Sequence, residues 1–115
     1  MTTPKALLRA LDARDGRVCA WHGVACGVDT LVPQHRQGGA GGRRNKHRLS
    51  NVLWLDSLTN GAVESDPALQ SEAKRRGIKV SLFADPVTVP VVHAVHGRVF
   101  LNDDGTVSPC MEEVA

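Results

Sequence analysis

His35 ends a short β-prone run and precedes an arginine and two glycines, in the stretch LVPQHRQGG. An imidazole has an ordinary pKa of about 6.5, so near neutral pH it can accept a proton from water. A histidine at this position is therefore a candidate general base at the mouth of a site. The alternative interpretation is an ordinary polar residue of a turn.

A basic segment follows the glycines, in GGRRNKHRLS, where Arg43, Arg44, Lys46 and Arg48 lie within six positions. Residues 1–55 contain nine Lys or Arg and three Asp or Glu, although the net charge of the whole chain is only +2. Clustered cations attract the phosphates of a nucleic acid. The segment thus predicts either a nucleic-acid contact or a solvated charged loop.

The length of 115 residues and the overall composition are those of a small globular protein, and we expect one domain over residues 1–115. The chain is 42% hydrophobic and 23% charged, with only 3% aromatic residues, so the core should be mainly aliphatic. No apolar run is long enough to cross a membrane, and no membrane association is expected. Three cysteines, an odd number, indicate free thiols and a cytoplasmic location.

The elements that would position His35 follow from local patterns. Leucines at helical spacing predict an N-terminal helix over residues 4–14, within a first segment 1–16. Residues 31–35 and 49–55 are β-prone and predict a hairpin, and a helix should follow with Asp56 or Ser57 as its N-cap. Pro67 predicts a break in that helix near Asp66.

From Ile78 onward the pattern is that of short strands, with a tight turn at Asp104-Gly105 and with His93 and His96 as sheet or turn residues. The order of elements predicts an α+β fold. Its core is a hairpin plus helix over residues 17–77, and a small C-terminal antiparallel β appendage occupies residues 78–110.

The motif HRQGG, followed by LSNVLWL, resembles the first two motifs of the HNH endonucleases in residue type and separation. Those enzymes adopt the ββα-metal fold. The tail DPVTVPVVHAVHGRVFLNDDGTVSP is similar to the C-terminal extension of small HNH proteins of actinobacterial phages. The resemblance covers roughly residues 5–109. It implies an HNH-like ββα core in this chain.

The resemblance also implies roles for particular residues. His35 matches the general base of the family, and Asn51 matches the asparagine whose amide orients the loop and the base. Asn60 and Glu64 lie one helical turn apart, where the family binds its catalytic cation, and Gln34 stands where the family usually has Asp or His. Oxygen ligands of this kind suit Mg²⁺ or Mn²⁺.

The cations near the hairpin are expected to bind DNA phosphates without reading bases. They are Arg36, Arg43, Arg44, Lys46 and Arg48.

Many HNH domains also hold a structural zinc ion between two Cys-x-x-Cys knuckles. Here the first knuckle is Cys19-x-x-His22, Cys26 follows, and Asp56 and Thr59 replace the second. Tetrahedral zinc needs four good ligands. Cys19, His22, Cys26 and Asp56 would supply them only in an unusual arrangement, so we expect small buried cysteines and no structural zinc.

The resemblance implies a metal-dependent endonuclease that hydrolyses DNA phosphodiester bonds with little sequence preference. It also implies DNA as a partner, and a phage terminase or another protein as a further one, in the cytoplasm of an infected bacterial host. The alternative is an inactive HNH-like module that binds nucleic acid or a protein, because Gln34 is a poor substitute for an anionic or imidazole ligand.

Overall fold

The structure is a computed structural model that describes residues 3–37 and 47–110. These residues form a compact α+β protein with three helices and two small antiparallel sheets. In chain order the elements are α1 (Lys5–Asp15), β1 (Leu31–His35), β2 (Val52–Asp56), α2 (Ser57–Ser65), α3 (Pro67–Arg75), β3 (Val91–His93), β4 (Gly97–Leu101) and β5 (Val107–Pro109). The sheets are the hairpin β1–β2 and the meander β3–β4–β5.

Helix α1 confirms the predicted N-terminal helix. Its apolar face, with Leu11 fully buried, packs on Val52 and Trp54 of the hairpin. Gly16 follows the helix as its C-cap, with a positive φ of 69° that suits glycine, and its N–H donates to the Asp12 carbonyl at 2.7 Å.

The β1–β2 hairpin forms as predicted, with Leu31 opposite Asp56 and His35 opposite Val52. All five residues of β2 are buried. The second strand begins at Val52, later than expected, because residues 49–51 form a 3₁₀ turn. Asn51 is buried in that turn, where its side-chain oxygen accepts a hydrogen bond from the Gln37 backbone N–H at 2.9 Å.

The helical region after the hairpin divides where the sequence predicts. Asp56 caps α2 by accepting a hydrogen bond from the Thr59 N–H at 3.0 Å. Asp66 then ends α2 and caps α3, and Pro67 lies in the first turn of α3. A proline is tolerated there because the first N–H groups of a helix have no intrahelical acceptor.

Residues 78–90 are not strands, contrary to the prediction that the chain is β from Ile78 onward. Two side chains from the end of the hairpin bind carbonyls of this segment and of Gly77, the residue before it. Arg36 donates to the carbonyls of Gly77, Pro86 and Val89, and Gln37 donates to those of Ser81 and Ala84. Carbonyls that accept from side chains are not free to join a sheet ladder.

The assignment of Arg36 to phosphate binding is wrong. Its side chain is almost completely buried, and its guanidinium donates to four backbone carbonyls, the fourth being that of Ser50 at 2.8 Å. Arginine presents five N–H donors in a fixed planar fork, which suits this role. Arg36 therefore ties the hairpin to the segment between α3 and β3.

The two sheets contribute to one buried cluster. Leu53 and Leu55 of the hairpin pack with Val91, Val99 and Leu101 of the meander. Helices α2 and α3 add Val63 and Ala73. The predicted turn between β4 and β5 forms, with Gly105 at a positive φ of 90°. The core is aliphatic, as the composition predicts.

The C-terminal end of α1 joins the meander through a buried polar cluster. Arg14 donates two hydrogen bonds to the Asp15 carboxylate, each 2.7 Å. His93 and His96 lie in β3 and in the turn after it, as predicted, and their Nε2 atoms are 3.2 and 2.8 Å from the Asp15 oxygens. Burial alone would raise the pKa of Asp15, but the bonds from Arg14 and His93 hold it well below the ordinary value.

The Asp15 cluster predicts a pH-dependent contribution to stability. Because the folded pKa of Asp15 is depressed, this contribution is complete above the unfolded pKa of about 3.9 and is lost as the pH falls toward the folded value. We expect Asp15→Asn to lower the free energy of unfolding by about 3 kcal/mol at pH 7. Urea unfolding of wild type and variant from pH 7 to pH 2 measures the difference.

Asp29→Asn provides the control, since Asp29 is exposed. The difference between wild type and Asp15→Asn should shrink in acid, whereas Asp29→Asn should stay near wild type throughout. A difference that is constant from pH 7 to pH 2 would contradict this role for the carboxylate.

Candidate functional site

A tight turn places the first two candidate metal ligands. Cys19 is fully buried, and the turn closes at Gly23, whose N–H donates to the Cys19 carbonyl at 2.8 Å and whose positive φ of 71° suits glycine. The His22 backbone N–H points at the Cys19 sulfur, 3.4 Å away. This turn brings the side chains of Cys19 and His22 to the same side as the end of β2.

Cys26 and Asp56 complete a group of four. Cys19 Sγ is 3.9 Å from His22 Nδ1, His22 Nδ1 is 3.4 Å from Asp56 Oδ2, and Cys26 Sγ is 3.3 Å from the same oxygen. All four ligand atoms lie within 4.8 Å of one another. A tetrahedral zinc ion with ordinary bond lengths separates such atoms by roughly 3.3–3.8 Å. The four side chains therefore fit a zinc ion with little rearrangement.

The protonation of this group also bears on metal binding. Burial raises the pKa of the Cys26 thiol to about 12, and a hydrogen bond to Asp56 adds to that shift. For Asp56, burial acts to raise the pKa, but the hydrogen bonds from Thr59 outweigh it and lower the pKa to about 2. Without a metal, Cys26 is thus a neutral thiol beside a carboxylate. A zinc ion would displace the thiol proton, which makes its binding pH-dependent.

From the sequence, these four residues are candidate zinc ligands, but a structural zinc site formed by all four was not expected. The expectation of small buried cysteines describes Cys19, whereas Cys26 is only half-buried. Asp56 joins the group because the hairpin register pairs it with Leu31, shortly after the cysteine turn. Thr59 is not a ligand but hydrogen bonds to Asp56. The spacing Cys-x-x-His-Gly, typical of a metal-binding turn, was the available signal.

A second group of potential ligands, Asp15, His93 and His96, is less suited to a metal. The Val95 N–H donates to His93 Nδ1 at 3.0 Å, so the proton of the neutral ring is on Nε2, the atom that faces Asp15. Arg14 already occupies both Asp15 oxygens. The Asp15 oxygens are thus engaged by Arg14 and the two histidines, and a metal ion would have to displace these hydrogen bonds.

The end of the hairpin holds a pair of imidazoles. His35 Nε2 and His47 Nδ1 are 3.2 Å apart, and both residues are half-buried. A hydrogen bond between two imidazole nitrogens requires that one of them carries no proton. The buried Nε2 of His47 has no hydrogen-bond partner within the described ranges. Asn51 supports the pair, since it binds the Arg36 and Gln37 backbone N–H groups next to His35.

The residues expected to bind Mg²⁺ or Mn²⁺ do not form a ready site. The Gln34 amide group donates to the His35 carbonyl at 3.4 Å, and the exposed Glu64 carboxylate is 3.6 Å from the Lys79 ammonium. Asn60 is half-buried on α2. Across residues 3–37 and 47–110, no group of three His, Cys, Asp or Glu ligands includes His35 or Glu64. These side chains do not fit a preformed cation site.

Of the other cations assigned to phosphates, Arg43, Arg44 and Lys46 lie outside the described residues. Arg48 is described and forms ion pairs with Asp103 at 2.7 Å and Asp85 at 3.1 Å. These two carboxylates offset much of its charge. Any phosphate contact by Arg48 would compete with them.

Comparison with known proteins adds no assignment. No protein-family model, no curated protein and no solved structure matches the chain. None of the described helices has the length and apolar character needed to span a lipid bilayer. The fold and the site together define a compact α+β protein with side-chain groups that can bind a metal ion.

Proposed function

We propose that the protein binds DNA at the end of the β1–β2 hairpin and hydrolyses a phosphodiester bond there, in the manner of the HNH endonucleases. The observation that supports this proposal is the pairing of His35 with His47 at the hairpin end. One nitrogen of this contact carries no proton, and the cations at positions 43, 44 and 46 come shortly before His47 in the sequence.

In the proposed reaction, His35 accepts the proton of the attacking water while the water oxygen bonds to phosphorus. The bond from phosphorus to the 3′ oxygen breaks, and that oxygen leaves and takes a proton from solvent. His47 then shares the positive charge that develops, through the 3.2 Å contact between the rings. Asn51 is a positioning residue, since its side-chain oxygen accepts from the Gln37 N–H and its backbone carbonyl accepts from the Arg36 N–H, in the two residues that follow His35. Arg43, Arg44 and Lys46 bind flanking phosphates. Since Gln34, Asn60 and Glu64 do not fit a preformed cation site, Mg²⁺ or Mn²⁺ would have to arrive with the DNA, and it would supply charge stabilisation on the phosphate.

The proposal includes a structural zinc ion, which the sequence did not favour. Cys19, His22, Cys26 and Asp56 would hold it, as their spacing indicates. The ion would join the turn before β1 to the end of β2, and so fix the base of the hairpin that carries His35. DNA is the proposed partner because the cations favour it, and a terminase remains a suggestion of the resemblance alone.

Incubation with supercoiled plasmid tests the proposed cleavage. We expect wild-type protein to nick the plasmid when Mg²⁺ or Mn²⁺ is present, and His35→Ala to be at least about 100-fold slower. His22→Ala is not a suitable control because it perturbs the metal group. Arg98→Ala is suitable, since Arg98 is exposed on β4 and has no role in the proposed reaction or in the metal group. Nicking that survives His35→Ala would exclude His35 as the base.

The second candidate is a binding module without hydrolytic activity. It is favoured because Gln34 and Glu64 are each engaged with other groups, the His35 carbonyl and the Lys79 ammonium. It predicts retarded DNA in a gel at low salt, with no nicking by any divalent cation and no effect of His35→Ala on binding. The plasmid and gel assays together distinguish the two candidates.

A further inference from the structure

An open cleft lies beside the hairpin end, between α3 and the segment that follows it. Its volume is about 570 Å³. Lys74 and Lys79 supply charged groups, Val80 and Val89 supply apolar surface, and the buried side chain of Arg36 contributes to the lining. Since Arg36 immediately follows His35, the cleft adjoins the site proposed above.

The charge of this cleft is positive. All four acceptors of the Arg36 guanidinium are neutral carbonyls, so the hydrogen bonds satisfy its donors without cancelling its charge. Burial, followed by repulsion from Arg14, lowers the pKa of Arg36 to about 10, which leaves it protonated at neutral pH. Glu64 is the acidic side chain near Lys79, at 3.6 Å. Its single negative charge is smaller than the combined positive charge of Arg36, Lys74 and Lys79, so the cleft has a net positive charge.

Phe83 lies in the chain between Leu82 and Ala84, which line the cleft, and its own side chain is fully exposed. The other aromatic side chains, Trp21, Trp54 and Phe100, are buried or half-buried. The turn that carries Phe83 is held by hydrogen bonds, since Gln37 binds the carbonyls of Ser81 and Ala84 on either side of it. An exposed aromatic ring on a well-held turn loses little further conformational entropy when it contacts a flat partner.

We propose that this cleft and Phe83 bind a nucleotide of an unpaired DNA segment, with its phosphate between Lys74 and Lys79 and its base stacked on the Phe83 ring. The inference rests on the proposed function and specifies the form of its substrate. A cationic groove beside an aromatic ring is the arrangement by which proteins hold single strands without reading their sequence. Free phosphate would use the lysines alone and would leave Phe83 without a role.

The test is binding of dye-labelled oligonucleotides, followed by fluorescence anisotropy without added divalent cation. The probes are a thymidine strand of about 12 nucleotides and a duplex of equal length. We expect Phe83→Ala to weaken binding of the single strand about tenfold and binding of the duplex less than about twofold. Phe83→Trp should bind the single strand as wild type does. Lys74→Ala should weaken both complexes and reduce their salt dependence.

Leu58→Ala is the matched control, since Leu58 is an apolar side chain that is 84% exposed on α2. It should bind both probes as wild type does. Equal binding of the single strand by wild type and Phe83→Ala would overturn the inference, as would equal losses for both probes. If that result accompanies plasmid nicking by wild type, only the inference fails. A wild type that binds neither probe overturns the proposed function as well.

Discussion

Purified protein is expected to contain about one zinc ion per chain, and removal of that ion should lower the free energy of unfolding by at least about 4 kcal/mol. The expectation follows from Cys19, His22, Cys26 and Asp56, whose ligand atoms lie within 4.8 Å of one another. Structural zinc sites contribute directly to folding because the unfolded chain does not hold the ligands together. Elemental analysis and thermal unfolding with and without a chelator measure both quantities.

Two cysteine variants separate the metal from the packing. Cys26→Ser should lose most of the zinc and should unfold like chelated wild type, since Cys26 is only half-buried and its loss leaves a small cavity at most. Cys110→Ser should keep the zinc and the stability, because Cys110 is not in the metal group. Protein that contains no zinc after growth in zinc-supplemented medium, with unfolding insensitive to a chelator, would contradict this account.

Replacement of Arg36 is expected to have the second large effect. Arg36→Met should lower the free energy of unfolding by about 4 kcal/mol or more, because it removes the guanidinium donors from four backbone carbonyls, three of them in buried hydrogen bonds. Such a loss approaches the total stability of many small domains. Arg36→Lys should also destabilise, since one ammonium group has three donors and cannot reproduce the fork. Urea unfolding at pH 7 measures each loss.

Arg98→Met is the control for the removal of a positive charge, since Arg98 is exposed on β4. It should change the free energy of unfolding by less than about 0.5 kcal/mol. If Arg36→Met cannot be obtained folded, Arg36→Lys still reports on the same bonds. A loss of less than about 1 kcal/mol for Arg36→Met would show that the carbonyls find other donors.

The parts of the fold that could be predicted depend on neighbours in sequence. The leucines of α1, the Asp56 cap and the break at Pro67 each act within a few residues, so their patterns are visible in the sequence. The hairpin is also local, apart from the segment that separates its strands. For these elements, propensity and tertiary structure agree.

The errors arise where distant residues decide the outcome. Arg36 looks like a surface cation in its sequence context, but its acceptors come from Ser50, Gly77, Pro86 and Val89. The same bonds keep the β-prone residues after Ile78 out of a sheet. The metal group also needs the hairpin register to bring Asp56 to the cysteine turn, and no spacing rule predicts that register.

The central claim is that His35 acts as the base in phosphodiester hydrolysis, and a single-turnover cleavage rate tests it most directly. The measurement uses a labelled DNA duplex, saturating protein and added Mg²⁺ or Mn²⁺, for wild type and His35→Ala. The account predicts cleavage by wild type and a rate at least about 100-fold lower for the variant, with DNA affinity within about twofold. Equal rates, or tight binding by wild type without cleavage under either cation, would contradict it.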